Sequence, residues 1–141
     1  MEQALYQATV LTFEELGFVF PETGPNLPDI DDAGSFKASI EFQGEFSGEL
    51  LLAIDGDALA AIASNMLGDE EPVDDEMRQD VLGELTNVIC GNALPAIGGT
   101  GTIFRLNAPE FHTHFARSKA PSATSRVALD EGRADISLYL N

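Results

Sequence analysis

The chain has 141 residues, 44% of them hydrophobic, and a formal net charge of −17. That is enough apolar material for a single domain, 1–141, with its own core. A negative charge this large and this dispersed excludes counterion-release binding to nucleic acid as a main activity and argues against docking on an anionic membrane surface.

The first element is a helix over residues 2–17. Ala4, Leu5, Ala8, Leu11, Thr12 and Leu16 recur at three- and four-residue spacing, and Gly17 suits the position just past the end. Phe18-Val19-Phe20 reads as a short extended piece, and the Pro-, Gly- and Asp-rich stretch 21–35 as loop. From Lys37 to Phe42 apolar residues alternate, and Glu49 to Ile54 forms a second strand, so 36–54 is a β-hairpin turning through Gly44–Gly48. Asp55 or Asp57 then caps a helix with Ala58, Leu59, Ile62, Ala63, Met66 and Leu67 on one face, ended by Gly68 and Pro72.

Asp74 or Asp75 caps a long helix that runs to about Ile97, with Pro95 kinking or tightening its last turn. Strands follow at Thr102–Leu106, Glu110–Ala116, Ser122–Leu129 and Ala134–Leu140, the last two joined by a turn at Asp130-Glu131-Gly132. The order is helix, two strands, two helices, four strands. It predicts an α+β fold, a mostly antiparallel β-sheet with about three helices packed on it.

No basic segment followed by an apolar run opens the chain, and no stretch approaches 18 apolar residues. One cysteine, Cys90, allows no intramolecular disulfide. These features point to the cytoplasm.

The long helix carries the most information. With Asp80 set at 0° and about 100° per residue, Glu84 falls near 40°, Asn87 near −20° and Gly91 near 20°. Val81, Leu85, Ile89 and Leu82 fall between about 100° and 200°. One stripe faces a core. The other presents a carboxylate and a carboxamide one turn apart. A solvated helix face produces such a stripe too. Two costs argue for more: Asn is a mediocre helix former, and Gly91 destabilises a helix interior by about 1 kcal/mol relative to Ala. A bare patch beside a carboxamide suits the close approach of another surface.

Other constellations carry less weight. His112 and His114 would share one strand face, but no Cys or third His is near, so an ordinary strand face is the better reading. Cys90 has no basic neighbour in sequence to activate it and reads as a packing residue. Gly98–Thr102 is glycine-rich but follows a helix and lacks the Lys of a phosphate loop.

Phe46-Ser47-Gly48-Glu49-Leu50, Ala60-x-x-Ala63-x-x-Met66-Leu67-Gly68 and Gly83-Glu84-Leu85-Thr86-Asn87-Val88-Ile89-Cys90-Gly91-Asn92-Ala93 together resemble the CheC/CheX/FliY family of chemotaxis phosphatases. The family motif is Asp or Ser, three residues, Glu, two residues, Asn, and a later Pro. It matches Asp80, Glu84, Asn87 and Pro109, although the gap to Pro109 is one residue short of the common pattern. In the first helix, Glu14 and Glu15 have Gly17 and Phe18 at the spacing where Asn would stand. That departure favours the CheX branch, with one Glu/Asn pair per subunit.

The resemblance implies a CheC-like fold and hydrolysis of the aspartyl phosphate on a CheY-like response regulator receiver domain. It implies Glu84 and Asn87 as the catalytic pair, with Asp80, Glu84 and Gly91 meeting the partner. It implies no cofactor of the chain's own, with Mg2+ supplied by the partner's site, and a homodimer joined through its sheets. Aspartyl phosphate hydrolyses through a loose transition state, so positioning supplies most of the catalysis. A neutral carboxamide such as Asn87 can hold the attacking water. Glu84 would repel a phosphoryl group and suits an ion pair with a partner lysine. The alternative is a non-catalytic binding module that docks a receiver domain or flagellar-switch component through the same helix.

Overall fold

In the computed structural model, the residues described are 1–16, 34–68, 74–99, 101–115, 120–129 and 132–141. The expected extended piece at 18–20 and nearly all of the expected loop lie outside them.

Three helices and six strands are present: α1 (Glu2–Leu16), β1 (Ser35–Gly44), β2 (Gly48–Asp55), α2 (Gly56–Leu67), α3 (Asp75–Gly98), β3 (Phe104–Leu106), β4 (Glu110–His112), β5 (Ala123–Leu129) and β6 (Gly132–Leu140). The strands form one sheet in the order β3-β1-β2-β6-β5, with β4 also on β1. Every pairing is antiparallel. Both expected hairpins are present, as β1–β2 and β5–β6.

Cross-strand register explains the core. Ala38 faces Leu52, which faces Ile136; Ile40 faces Leu50, which faces Leu138. Because side chains alternate, these rows make one continuous apolar face. The inward side chains of α1, α2 and α3 close over it: Leu5, Phe13, Leu59, Ile62, Leu82, Leu85 and Ile89 are all fully buried. α1 lies against α3 and β5, and α3 also packs on β1.

Helix ends follow local chemistry. The Met77 N–H donates to Asp74 Oδ1 at 2.8 Å, so Asp74 caps α3. Asp55 holds the N-cap position of α2 without capping it by its side chain. Its Oδ2 instead accepts the Arg133 N–H at 2.9 Å, tying β2 to β6. Gly68 ends α2 in the left-handed conformation at φ 64°, its N–H donating to the Ser64 carbonyl. α3 continues through Pro95 as far as Gly98.

The two strands expected at 102–106 and 110–116 are shorter than predicted, and they are two halves of one edge. Phe42 faces Leu106, whereas Ser39 faces Glu110. Residues 107–109 therefore span only Ile40 and Glu41 on β1, which is a β-bulge with one extra residue. Pro109, which has no N–H to give a ladder, sits in it. The Asn107 N–H still donates to the Glu41 carbonyl at 2.9 Å. The extra residue reverses the alternation. Phe104 and Leu106 lie on the helix face before the bulge, and Phe111, opposite Ala38, lies on the same face after it.

Candidate functional site

α3 separates its two stripes as the sequence predicts. Val81, Leu82, Leu85 and Ile89 are buried, and Asp80, Glu84, Asn87 and Gly91 are exposed. The helix is held in orientation from both sides. On one side Asn92 Nδ2 donates to Thr12 Oγ1 of α1 at 3.2 Å, and Thr12 in turn donates to the Ala8 carbonyl at 2.8 Å. On the other side the bulged edge strand lies against the helix at Gly83.

Gly83 is buried, and a Cβ there would stand 3.3 Å from Phe111 Cζ and 3.7 Å from Pro109 Cγ. Phe111 keeps 44% of its surface exposed beside the stripe. Helical side chains lean toward the N-terminus. Asn87 therefore leans over the turn that holds Gly83 and Glu84. Gly91 is the reverse of Gly83: a Cβ there would meet nothing within 4 Å. Any side chain at 91 would lean back toward Asn87.

Among the described residues, neither Glu84 nor Asn87 is held by a hydrogen bond or an ion pair within the chain. Arg78, on the first turns of the same helix, is committed to Asp75 at 3.0 Å and lies over the Phe36 ring. The exposed stripe is thus acidic, with a carboxylate and a carboxamide about 5–6 Å apart at their Cβ atoms in a regular helix. Such a face can bind a cationic surface and position a water molecule.

Other sequence candidates settle differently. Cys90 is fully buried, and burial pushes its thiol up to about 12; the neutral thiol that results packs and does not attack. His112 is half-buried and shares a 2.7 Å hydrogen bond with Ser39 Oγ, and β4 ends there, so His112 and His114 are not paired on one strand face. Among the described residues no group of three or more His, Cys, Asp or Glu side chains gathers as a metal site would need. No described helix is long and apolar enough to cross a membrane. The sequence reading missed Phe111. Its signal was Gly83, a glycine in a buried helix position whose missing side chain needs a neighbour to fill the space.

Solved structures share the fold. The chemotaxis protein CheX of Vibrio vulnificus matches with a TM-score of 0.76 at 19% identity, over 99% of this chain and 95% of that one. CheX of Desulfovibrio desulfuricans matches at 0.74 and 19%, over 99% and 97%. The CheX-CheY-BeF3-Mg2+ complex of Borrelia burgdorferi matches at 0.71 and 18%, over 99% and 96%. No curated protein matches significantly. The model of one family, chemotaxis phosphatase CheX, matches residues 36–130, which run from the second residue of β1 to the end of β5 and include α3 and the bulged edge strand. On that match the chain belongs to the CheX family.

Proposed function

We propose that the chain accelerates hydrolysis of the aspartyl phosphate on a CheY-like response regulator receiver domain, in chemotaxis signalling. The exposed Asn87, with Glu84 on the same turn, is the observation that carries this reading. Neither side chain has work to do in the fold, and both stand on a rigid, doubly anchored helix. The B. burgdorferi relative, solved with CheY, BeF3 and Mg2+, supports a receiver domain as the partner.

The transition state of phosphoryl transfer is loose, and charge spreads over the phosphoryl oxygens. The chain's task is to place water in line. The Asn87 carboxamide oxygen accepts a hydrogen bond from that water, and its neutrality avoids repelling the phosphoryl group. Glu84 pairs with a lysine beside the partner's phosphorylation site, and Asp80 extends the acidic stripe toward the same cationic surface. The metal stays with the partner's acidic pocket. This reading puts the reaction in the cytoplasm, the compartment expected for a chain with one cysteine.

Asn87→Ala tests the reading. It should lower the rate of dephosphorylation roughly 100- to 1,000-fold and leave partner affinity and thermal stability unchanged. An Ala variant as fast as the wild type would remove Asn87 from the mechanism.

The sheet supports a homodimer. Among the described residues β5 pairs only with β6, and none of them pairs with its outer edge. Pairing across a two-fold axis would close it and leave the α3 stripe clear. Light scattering at physiological salt should give twice the 15.1 kDa chain mass; a monomer at micromolar concentration would exclude the dimer.

A further inference from the structure

A pocket of about 100 Å3 opens at the C-terminal end of the α3 stripe, between Gly91, Leu94 and Pro95 on the helix and Thr102, Phe104 and Leu106 on the edge side. Leu94 is buried and forms its floor; Phe104 and Leu106 are half-buried walls. None of the six carries a charge, in a chain whose net charge is −17. The volume approaches that of cavities, roughly 150 Å3, that accept one small apolar molecule.

Two features of the rim serve nothing in the fold. Gly91 is helical and exposed, and a Cβ there would touch nothing within 4 Å. Neither packing nor backbone conformation requires glycine, yet glycine weakens the helix. Pro95 has no N–H to return to the Gly91 carbonyl. That carbonyl therefore lacks its usual helical donor.

We propose that this pocket receives an aliphatic side chain of the receiver domain that Glu84 and Asn87 engage. The inference rests on the function proposed above. Gly91 lies four residues, about 6 Å, beyond Asn87 along the helix. A partner seated on Asn87 must therefore cover Gly91 and the pocket beside it. Charge selects the occupant. A second copy of the chain docked on this face would bring its own Asp80 and Glu84 against theirs, whereas a cationic rim around an apolar residue complements both the stripe and the pocket.

Methyl-labelled protein titrated with receiver domain held in its phosphorylated form by beryllofluoride and Mg2+ tests this. The Leu94 and Leu106 methyl signals should move and saturate with the partner. In steady-state assays, Leu106→Phe should narrow the pocket and raise KM roughly tenfold, with kcat changed less than twofold. Methyl signals that stay still at saturating receiver overturn the pocket even if hydrolysis is accelerated. Signals that move only as the chain alone is concentrated assign the pocket to a second copy and overturn it too. Failure of the proposed function is read separately, as wild-type protein that leaves phosphate decay unchanged.

Discussion

Gly83 lies one turn before Asn87 and Gly91 one turn after it, on the same helix. Before Asn87 the space a side chain would fill is taken by Phe111 and Pro109, brought there by the bulge in the edge strand. After Asn87 that space is empty. The same residue type thus answers two different demands. Gly83 lets the edge strand close on the helix, with Phe111 and Pro109 against it. Gly91 keeps the approach to the carboxamide open, at a cost to helix stability and with no return in packing. One is a structural glycine and the other fits a docking surface.

The sharpest way to break this contrast is to put leucine at each position. Gly83→Leu should drive Phe111 and Pro109 off the helix and cost about 1–3 kcal/mol, as overpacking does. Thermal unfolding reads it, and an unchanged midpoint would mean that the edge strand does not press on α3. Gly91→Leu should go the other way. Removing a helix-interior glycine gains up to about 1 kcal/mol, while the new side chain leans over Asn87 and slows turnover. A Gly91 variant that is more stable and fully active would leave its bareness without a use.

Glu84→Ala should have the smallest effect of the three. Its pair with a partner lysine lies at an exposed rim, where such pairs contribute about 0.2–1 kcal/mol. A few-fold rise in KM is expected, shrinking at high salt as the Debye length falls. A salt-independent loss confined to kcat would contradict the docking role and move Glu84 into the chemistry.

What could be read from the sequence follows from periodicity. The two stripes of α3 were legible because Val81, Leu85 and Ile89 repeat at helical spacing against Asp80, Glu84 and Asn87. The β5–β6 hairpin was legible because its alternation is unbroken, and the β1–β2 hairpin because an alternating strand and a short apolar run flank the glycines at 44 and 48. The edge strand was not. An extra residue at 107–109 reverses the alternation there, so a single bulged strand reads as two. With the bulge hidden, nothing in sequence places Phe104, Leu106 and Phe111 on one side of α3, and the wall of the candidate site stays invisible. Asp55 shows a smaller limit. A residue of cap type at a cap position turned its carboxylate to Arg133, because a backbone N–H of β6 lies within reach.

Catalysis by α3, as opposed to docking by it, is tested most directly by turnover. Phosphorylated receiver domain in large excess over the chain should lose its phosphate at a rate proportional to the amount of chain added, many receivers being cleared by each copy. A phosphate lifetime that is unchanged, or lengthened because the chain shelters the site it covers, would contradict catalysis and leave only a binding module.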